Sequence, residues 1–441
     1  MASTTNSLTE KAAALYQGEA LAPMVRASTP PLRMLSLKYG ADFVYTEELV
    51  DRSISETVRM ENKVLNTVDY VKDTSNLSKR TQRRLAREGN APALILRVDR
   101  ERERGKLVCQ LGTGEPELTL EAAAHVRRDV DAFDINMGCP KKFSVSGGMG
   151  SALLTDPERA CRIVKKLRDN LDEHPVSCKI RLLKDTQSTV DLITALANAG
   201  AHAIAIHARR VGDDCVNPAA WGDLEEVIPL VRAKFPTLPL LANGDFYTRQ
   251  DFMDFKTKNG INGVLLGRPA LYNTSIFRKP DPSSTPQPSS AYGYNSPLLL
   301  DKTLIVQDYL REAMRYDTHY KNVKYVISEM MNNRRTPSCR VPFLPQCFPG
   351  NQSIGRTCDC SSLEALCKLW DVAYTKYDSK TLTLPAGEHK YEDSYFLKHE
   401  ENYRKSDVES KTERDDSAEE KKEKDEDPPH KRVKVFDGVS T

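Results

Sequence analysis

Eight short, mostly apolar runs recur along the first two thirds of the chain, at residues 19–25, 42–47, 108–112, 132–137, 176–181, 203–208, 238–244 and 263–267. Most are continuously apolar instead of alternating, the pattern of parallel strands covered on both faces. Amphipathic stretches with helical spacing lie between them, for instance residues 157–171, 186–199 and 248–258. Eight strand–helix units in roughly 250 residues is the size of a (β/α)₈ barrel. A doubly wound sheet gives the same alternation, so periodicity leaves both open and the count of eight favours the barrel.

The flanks divide the chain further. Residues 1–18 form an N-terminal extension ahead of the barrel domain, which is assigned to 19–280. An insertion at 51–106 carries the basic run Lys79-Arg80-Thr81-Gln82-Arg83-Arg84 and one extra strand at 93–98. Pro, Ser and Tyr mark a linker at 281–296, and residues 297–333 have aliphatic and aromatic residues at three- and four-residue spacing, which predicts helix. This all-α segment continues to 377 as a Cys- and Pro-bearing appendix ending in a helix at 361–374. Beyond 378 charge is dense and apolar residues almost vanish past 400, so disorder is expected.

Composition supports a soluble globular chain with a solvated extra: 39% of the 441 residues are hydrophobic and 29% charged, with a formal charge of +2. No apolar run approaches the about 18 residues of a membrane span, and residues 1–18 lack the apolar core of a secretory signal. The ten cysteines are irregularly spaced and read as reduced thiols of a cytoplasmic protein. The cluster Lys431-Arg432-Val433-Lys434 fits a nuclear address, although short basic runs are common in such tails. Cys339, Cys347, Cys358, Cys360 and Cys367 crowd the appendix without a paired C-x₂-C spacing or a nearby histidine, so no metal is assigned.

The sharpest chemistry lies in Asp134-Ile135-Asn136-Met137-Gly138-Cys139-Pro140, followed by Ser146-Gly147-Gly148-Met149-Gly150. A cysteine just past the C-terminal end of a strand stands where barrel active sites are built, and a thiol there can act as a general acid. An isolated cysteine is more often a small buried hydrophobe. Here it belongs to an ordered series, each member at the end of a candidate strand: Ala22-Pro23-Met24, Gln110-Leu111-Gly112, Asn136 to Pro140, Lys179-Ile180-Arg181, His207-Ala208-Arg209, Asn243-Gly244-Asp245 and Gly267-Arg268-Pro269. Asn243-Gly244-Asp245 and Gly267-Arg268 close the seventh and eighth strands, where barrels commonly cradle a phosphate. Arg268 adds a charge-assisted contact there. Lys179, in a strand otherwise read as buried, needs a reason to be charged; His207 alone reads more often as a satisfied core histidine.

The whole series, from about residue 20 to 331, resembles the tRNA-dihydrouridine synthase family. Ser146 to Gly150 and Arg315-Tyr316-Asp317-Thr318-His319-Tyr320-Lys321-Asn322 are similar to its eukaryotic subfamily acting on uridine 20 of the D-loop. The resemblance implies a barrel binding FMN, with NADPH or NADH as reductant and tRNA as partner. Pro23, Met24, Val25 and Gln110 would meet the isoalloxazine edge, and Lys179 would offset charge on the reduced ring. His207, Asn243, Gly244, Asp245, Gly267 and Arg268 would serve the ribityl phosphate. Hydride from the flavin goes to uridine C6 and Cys139 protonates C5, on a base flipped from its stack. Asn136 is assigned to the uracil edge, and Arg181 and Arg209 to substrate phosphate or base. Arg311, Arg315, Tyr316, His319, Tyr320, Lys321, Lys324 and Tyr325 in the helical segment suit phosphates and exposed bases, or a helix packed with a solvated face. The double-stranded-RNA-binding domain that animal members carry after the helical region has no counterpart pattern here. A dehydrogenase of a free pyrimidine and an idle tRNA-binding barrel are the rival readings. The first leaves the trailing helices unexplained, and the second leaves Cys139, Lys179 and the phosphate segments without a use.

Overall fold

The computed structural model describes residues 2–72, 94–279, 299–332 and 354–375. The basic run at 79–84, the linker, Cys339, Cys347 and the charged tail with Lys431, Arg432 and Lys434 fall outside them.

All eight expected strands are present: β1 (Gly18–Leu21), β2 (Phe43–Tyr45), β3 (Leu107–Gly112), β4 (Ala132–Asn136), β5 (Val176–Arg181), β6 (Ala203–His207), β7 (Leu240–Asn243) and β8 (Gly263–Leu266). Each pairs in parallel with its neighbours. The ring closes because β1 pairs with both β8 and β2, as in Ala20↔Leu265 and Ala20↔Phe43, while β2 also pairs with β3 through Val44↔Leu107. That closure decides for the barrel over the doubly wound sheet. Helices return the chain between strands, with local signals that fix their ends. Pro157–Asn170 begins on a capping Asp156, and Arg249–Asn259 opens on a Thr248–Asp251 capping box and stops at left-handed Gly260.

The side chains on the inner face change character along the strands. Near the N-terminal ends stand Phe43, Tyr45, Val108, Ala132, Ala205, Leu241 and Leu265, members of a buried cluster. Two residues later along the same inner columns come Gln110, Asp134, His207, Asn243 and Gly267, as the period of two requires. The apolar end is plugged from the N-terminal extension. Helix Ala2–Leu15 delivers Ala12 and Tyr16 into the cluster, and the Tyr16 ring meets Phe43 edge-on at 5.7 Å.

The insertion holds more structure than its sequence suggested. Besides the expected strand, observed at Leu94–Val98, it contains Thr57–Asn62 and Thr67–Lys72, and the three form an antiparallel sheet. Arg33 and Glu103 pair at 2.5 Å with side chains 2% and 1% exposed, tying the barrel to the end of the insertion. The helical region is a pair, Lys302–Arg315 and Tyr320–Met331, broken at Asp317 by a left-handed turn. It docks by polar contacts: Asp308 accepts hydrogen bonds from Lys38 at 2.7 Å and Tyr39 at 2.8 Å, Arg102 pairs with Glu312 at 2.8 Å, and the Tyr316 hydroxyl donates to Asp99 at 2.6 Å. Tyr316 is therefore buried against the insertion and corrects its assignment as a base-stacking residue. In the appendix the helix expected at 361–374 is observed at Leu363–Leu369, and a further short helix, Ile354–Asp359, precedes it. No helix of the described residues is long and apolar enough to cross a membrane.

Asp308 is the carboxylate on which helix docking turns, since it also accepts from Arg311 and its side chain is 2% exposed. Replacing it by Ala leaves the buried Tyr39 hydroxyl without its acceptor. The expected cost is about 1–3 kcal/mol, the usual penalty for a stranded buried polar group, measured by denaturant unfolding. A midpoint equal to that of the unaltered protein would show that the helices dock without this contact.

Candidate active site

The polar ends of the inner columns open into a cavity of about 300 Å³ at the C-terminal mouth of the barrel. Met24, Gln110, Asn136, Cys139, Lys179, Arg181, His207, Arg209, Asn243, Gly244, Asp245, Gly267 and Arg268 all line it, with Pro23 and Val25 at the β1 end. The sequence-assigned residues thus converge, although they span most of the barrel's length in the chain. Strand register explains part of this: Gln110 lies beside Asp134, Asn136 beside Lys179, His207 beside both Arg181 and Asn243.

One wall collects positive charge. Burial and the charges of Lys179, Arg181, Arg209 and Arg268 hold His207 well below the ordinary imidazole range, so it is neutral. Lys179 is pulled below the usual lysine range by burial and by Arg181, partly opposed by Asp134. Among the described residues its ammonium makes no hydrogen bond or ion pair, so its charge is left to the pocket. Beneath it, the Asp134 carboxylate accepts from Gln110 Nε2 at 2.8 Å and from the Ser177 hydroxyl at 2.6 Å, while burial pushes its own pKa up. With its amide nitrogen committed to Asp134, Gln110 has its carbonyl oxygen as the pocket-side group.

The loops after β7 and β8 are built tightly. Asn243 Nδ2 donates to the Leu265 carbonyl at 2.8 Å, and Trp221 Nε1 donates to the Gly244 carbonyl at 2.8 Å. Gly244 has φ +130°, and a Cβ there would lie 3.1 Å from Ala219 Cβ and 3.5 Å from the His207 ring, so only glycine fits this turn. The Asp245 carboxylate accepts from Arg209 at 2.5 Å, Arg268 at 2.8 Å and the Ala219 N–H at 2.7 Å. Asp245 therefore acts by gathering two guanidinium groups, and its side chain does not face a ligand by itself.

Cys139 follows β4 on a pinned turn. Its carbonyl accepts from the Ser151 N–H at 2.9 Å, and Asn136 Oδ1 accepts from the N–H groups of Gly138 at 2.9 Å and Cys139 at 3.2 Å. Arg181 Nε donates to the Gly138 carbonyl at 2.7 Å and its Nη1 to the Arg210 carbonyl at 3.2 Å. These contacts give Asn136 and Arg181 a part in holding the thiol's loop, while both line the cavity. Arg209 also lines it, is 3% exposed and is bonded to Asp245 and the Asn217 carbonyl, so it helps to organise the cationic wall. Burial first, then Glu48, push the Cys139 thiol above its ordinary range, so it carries its proton at neutral pH.

Glu48 and Ser144 were not singled out from sequence. Glu48 lies just past the expected strand 42–47, at the strand end where barrels build sites, and that position was the available signal. Among the described residues no group of three or more His, Cys, Asp or Glu is placed to hold a metal ion.

A closed parallel barrel gathers cations on one wall of its mouth and presents a protonated thiol on another. The model of the dihydrouridine synthase family matches residues 20–337, and the chain belongs to that family. It is 33% identical over 317 residues to the tRNA-dihydrouridine(20) synthase [NAD(P)+] of Schizosaccharomyces pombe, covering 70% of this chain and 59% of the relative. It is 32% identical over 323 residues to the Saccharomyces cerevisiae protein of the same name, covering 72% of this chain and 78% of that relative. The tRNA-dihydrouridine(16/17) synthase of S. pombe is 31% identical over 263 residues, covering 59% of this chain and 57% of that protein.

The Asp245 knot generates a stability prediction. Asp245→Ala strands the Arg209 guanidinium in a site that is 3% exposed. Breaking a buried pair from one side costs about 3–5 kcal/mol, expected as a clear fall in melting temperature. Unaltered melting would mean that the carbonyls of Cys215 and Asn217 suffice to hold Arg209.

Proposed function

We propose that the chain is an NAD(P)H-dependent, FMN-bearing tRNA-dihydrouridine(20) synthase, which reduces the C5–C6 bond of a D-loop uridine. The observation that carries this reading is Cys139, a proton-bearing thiol facing the same cavity as the Lys179–Arg268 cationic wall. Support comes also from the two yeast relatives, whose names state that activity.

The residues present fit a flavin mononucleotide. Arg209 and Arg268 meet at Asp245 beside the neutral His207, Arg209 keeps a buried Nε without a partner, and Lys179 brings a charge that Asp134 only partly offsets. The cavity volume falls within the range of small-ligand sites. Asn243, Gly244, Gly267, His207 and Arg268 would hold the phosphate end. Lys179, Gln110 and the backbone from Pro23 to Val25 would hold the ring. When bound, FMN supplies the hydride that NAD(P)H provides and that uridine C6 accepts.

Everything else falls to this chain's own groups. Lys179 places a positive charge where the ring system gains electrons. Gln110 offers an acceptor at the ring edge and is held by Asp134. Cys139 holds a proton for C5, with its turn fixed by Asn136, Arg181 and the Ser151 N–H. A uridine reaches this cavity only after leaving its stack, since the thiol lies inside the mouth. Lys321 and the flanking face of the helix Tyr320–Met331 offer tRNA a phosphate contact, because Lys321 is exposed.

Purified protein is expected to be yellow, to release FMN on denaturation and to lose its colour with NADPH. A colourless preparation that ignores added FMN would overturn the reading. Cys139→Ala is expected to keep flavin binding and its reduction while dihydrouridine formation falls by roughly 10²–10⁴, the worth of a positioned proton donor. The same change at Cys161, on a helix outside the barrel, is expected to be silent for chemistry.

Lys179 also imposes a pH dependence on cofactor binding. Its pKa is depressed in the empty pocket, and an anionic ligand favours its charged form, so binding draws a proton as pH rises through the depressed value. Affinity for FMN is therefore expected to weaken above neutral pH by up to tenfold per pH unit, read by fluorescence titration. In Lys179→Met binding is weaker throughout and that slope is lost; an unchanged slope would assign the titration elsewhere.

A further inference from the structure

Glu48 has no part in the cofactor's site, yet much of the thiol's surroundings is arranged around it. It lies half-buried just beyond β2 and lines the cavity beside Cys139. Its neighbour on β3 is Gly112, where a Cβ would stand 2.7 Å from Glu48 Oε1 and 3.0 Å from its Cγ, so any larger residue there displaces the carboxylate. The Ser144 hydroxyl donates to Oε1 at 3.4 Å, and the Asn136 and Cys139 side chains lie near enough to bear on this carboxylate's ionisation. Ser144 and Cys139 are themselves held together across Gly150. A Cβ at that position would meet Ser144 Oγ at 2.5 Å and Cys139 Cβ at 3.0 Å. Two glycines and the Ser144 hydroxyl thus bring the carboxylate and the thiol to one corner of the cavity.

We propose that Glu48 is a positioning residue for Cys139: its carboxylate accepts the thiol's hydrogen bond, aims the proton and keeps it on sulfur until a uracil C5 is in place. The proposal rests on Cys139 being the proton donor of the reaction above. In the transfer the S–H bond breaks, the new C–H bond forms at C5, and the electron pair stays on sulfur. The resulting thiolate then stands beside a carboxylate, a like-charge contact that drives it to regain a proton from solvent before the next turnover.

Other charges face the pair and set the balance. The Lys141 N–H on Cys139 favours the thiolate, as does Ser144, while burial pushes the Glu48 carboxyl up and the Lys141 charge partly opposes it. Lys179 on β5 bears on both acidic groups, and Arg181 at its end bears on Cys139. Burial is the first effect that keeps the proton on sulfur against these cations. Glu48 is the nearby anion that opposes them.

The test is the ionisation of Cys139 in the full chain, read without tRNA. Alkylation by iodoacetamide is followed across pH by mass spectrometry of the peptide containing Cys139, in the unaltered protein, Glu48→Gln and Glu48→Asp. Loss of the charge in Glu48→Gln is expected to move the thiol titration down by about one pH unit, tenfold more thiolate below it. The alkaline limb of dihydrouridine formation moves the same way, and flavin bleaching by NADPH is unaltered. Glu48→Asp, which keeps the charge, is expected to titrate close to the unaltered protein. A titration that stays fixed in Glu48→Gln, or moves equally in both variants, overturns the proposal. Failure of the two readings is distinguishable: an unaltered protein that makes no dihydrouridine overturns the function, while the alkylation profile still decides Glu48.

Discussion

The ring closure through β2 is the constraint on which the rest of this molecule depends. Once Phe43–Tyr45 pairs with β1 on one side and β3 on the other, every strand must send alternate side chains into one enclosed column. Filling that column with apolar groups throughout would give a stable and inert barrel. Here the filling is apolar only for the lower half, sealed by Tyr16, and turns polar at the level of Asp134. The buried carboxylate at that level is tolerable because Gln110 and Ser177 satisfy it from the two adjacent strands. In turn it is the anion beneath Lys179, offsetting part of the desolvation of a lysine that would otherwise not stay charged there.

A second tier of interactions holds the loops above this column, and it is made of residues that first look like ligand contacts. Asn136, Arg181, Arg209 and Asp245 all line the cavity, but their hydrogen bonds run mainly to the chain itself. Such groups fix the positions of Cys139, Gly244 and Arg268 more than they recognise anything. A catalytic thiol is useful only when its loop does not wander, and a misplacement of about 1 Å can cost two orders of magnitude in rate. The helices Lys302–Arg315 and Tyr320–Met331 extend the same logic outward. Asp308, Glu312 and Tyr316 lock them to the helix Pro30–Lys38 and to the insertion, so any surface they offer is held in register with the mouth.

How much of this was legible beforehand follows from what each signal measures. Continuous apolar runs report burial on both faces, so all eight barrel strands were readable within a few residues, and Val176–Arg181 matched at both ends. Closure was not readable, because periodicity carries no information about which strand is whose neighbour. The strand Thr57–Asn62 was missed since most of its side chains reach solvent, and Thr67–Lys72 since the polar Thr67 and Asp69 interrupt its apolar residues although both are buried. Tyr316 shows the limit for amphipathic residues: a tyrosine beside Arg315 reads as a base platform until the fold shows its hydroxyl on buried Asp99. For the site, the order of strand-end motifs brought the right residues together, yet the bonds that Asn136, Arg181 and Arg209 make to the chain itself were not readable. A polar group's type tells what it can bond, and its partners are a matter of three-dimensional placement. Glu48 escaped notice because its significance comes from Gly112 and Gly150, two absences of a side chain on distant segments.

Strand order also dictates how the two halves of the chemistry face each other. In a ring of eight, β4 and β8 are diametrically opposed, so the loop bearing Cys139 stands across the mouth from Gly267-Arg268, with Lys179 on β5 and His207 on β6 along one arc between them. A ligand anchored by its anionic end at β7 and β8 must therefore extend its other end toward β3, β4 and β5. On the proposed reading that end is the flavin ring, and a base entering from solvent lies between ring and thiol. Hydride and proton would then approach the pyrimidine from opposite faces without either donor moving. The same geometry keeps the thiol at the far end from Arg268, where burial and then Glu48 hold its proton on sulfur. Separating the anion-binding wall from the acid by half a turn of the barrel is what lets one small cavity demand positive charge at one end and a neutral thiol at the other.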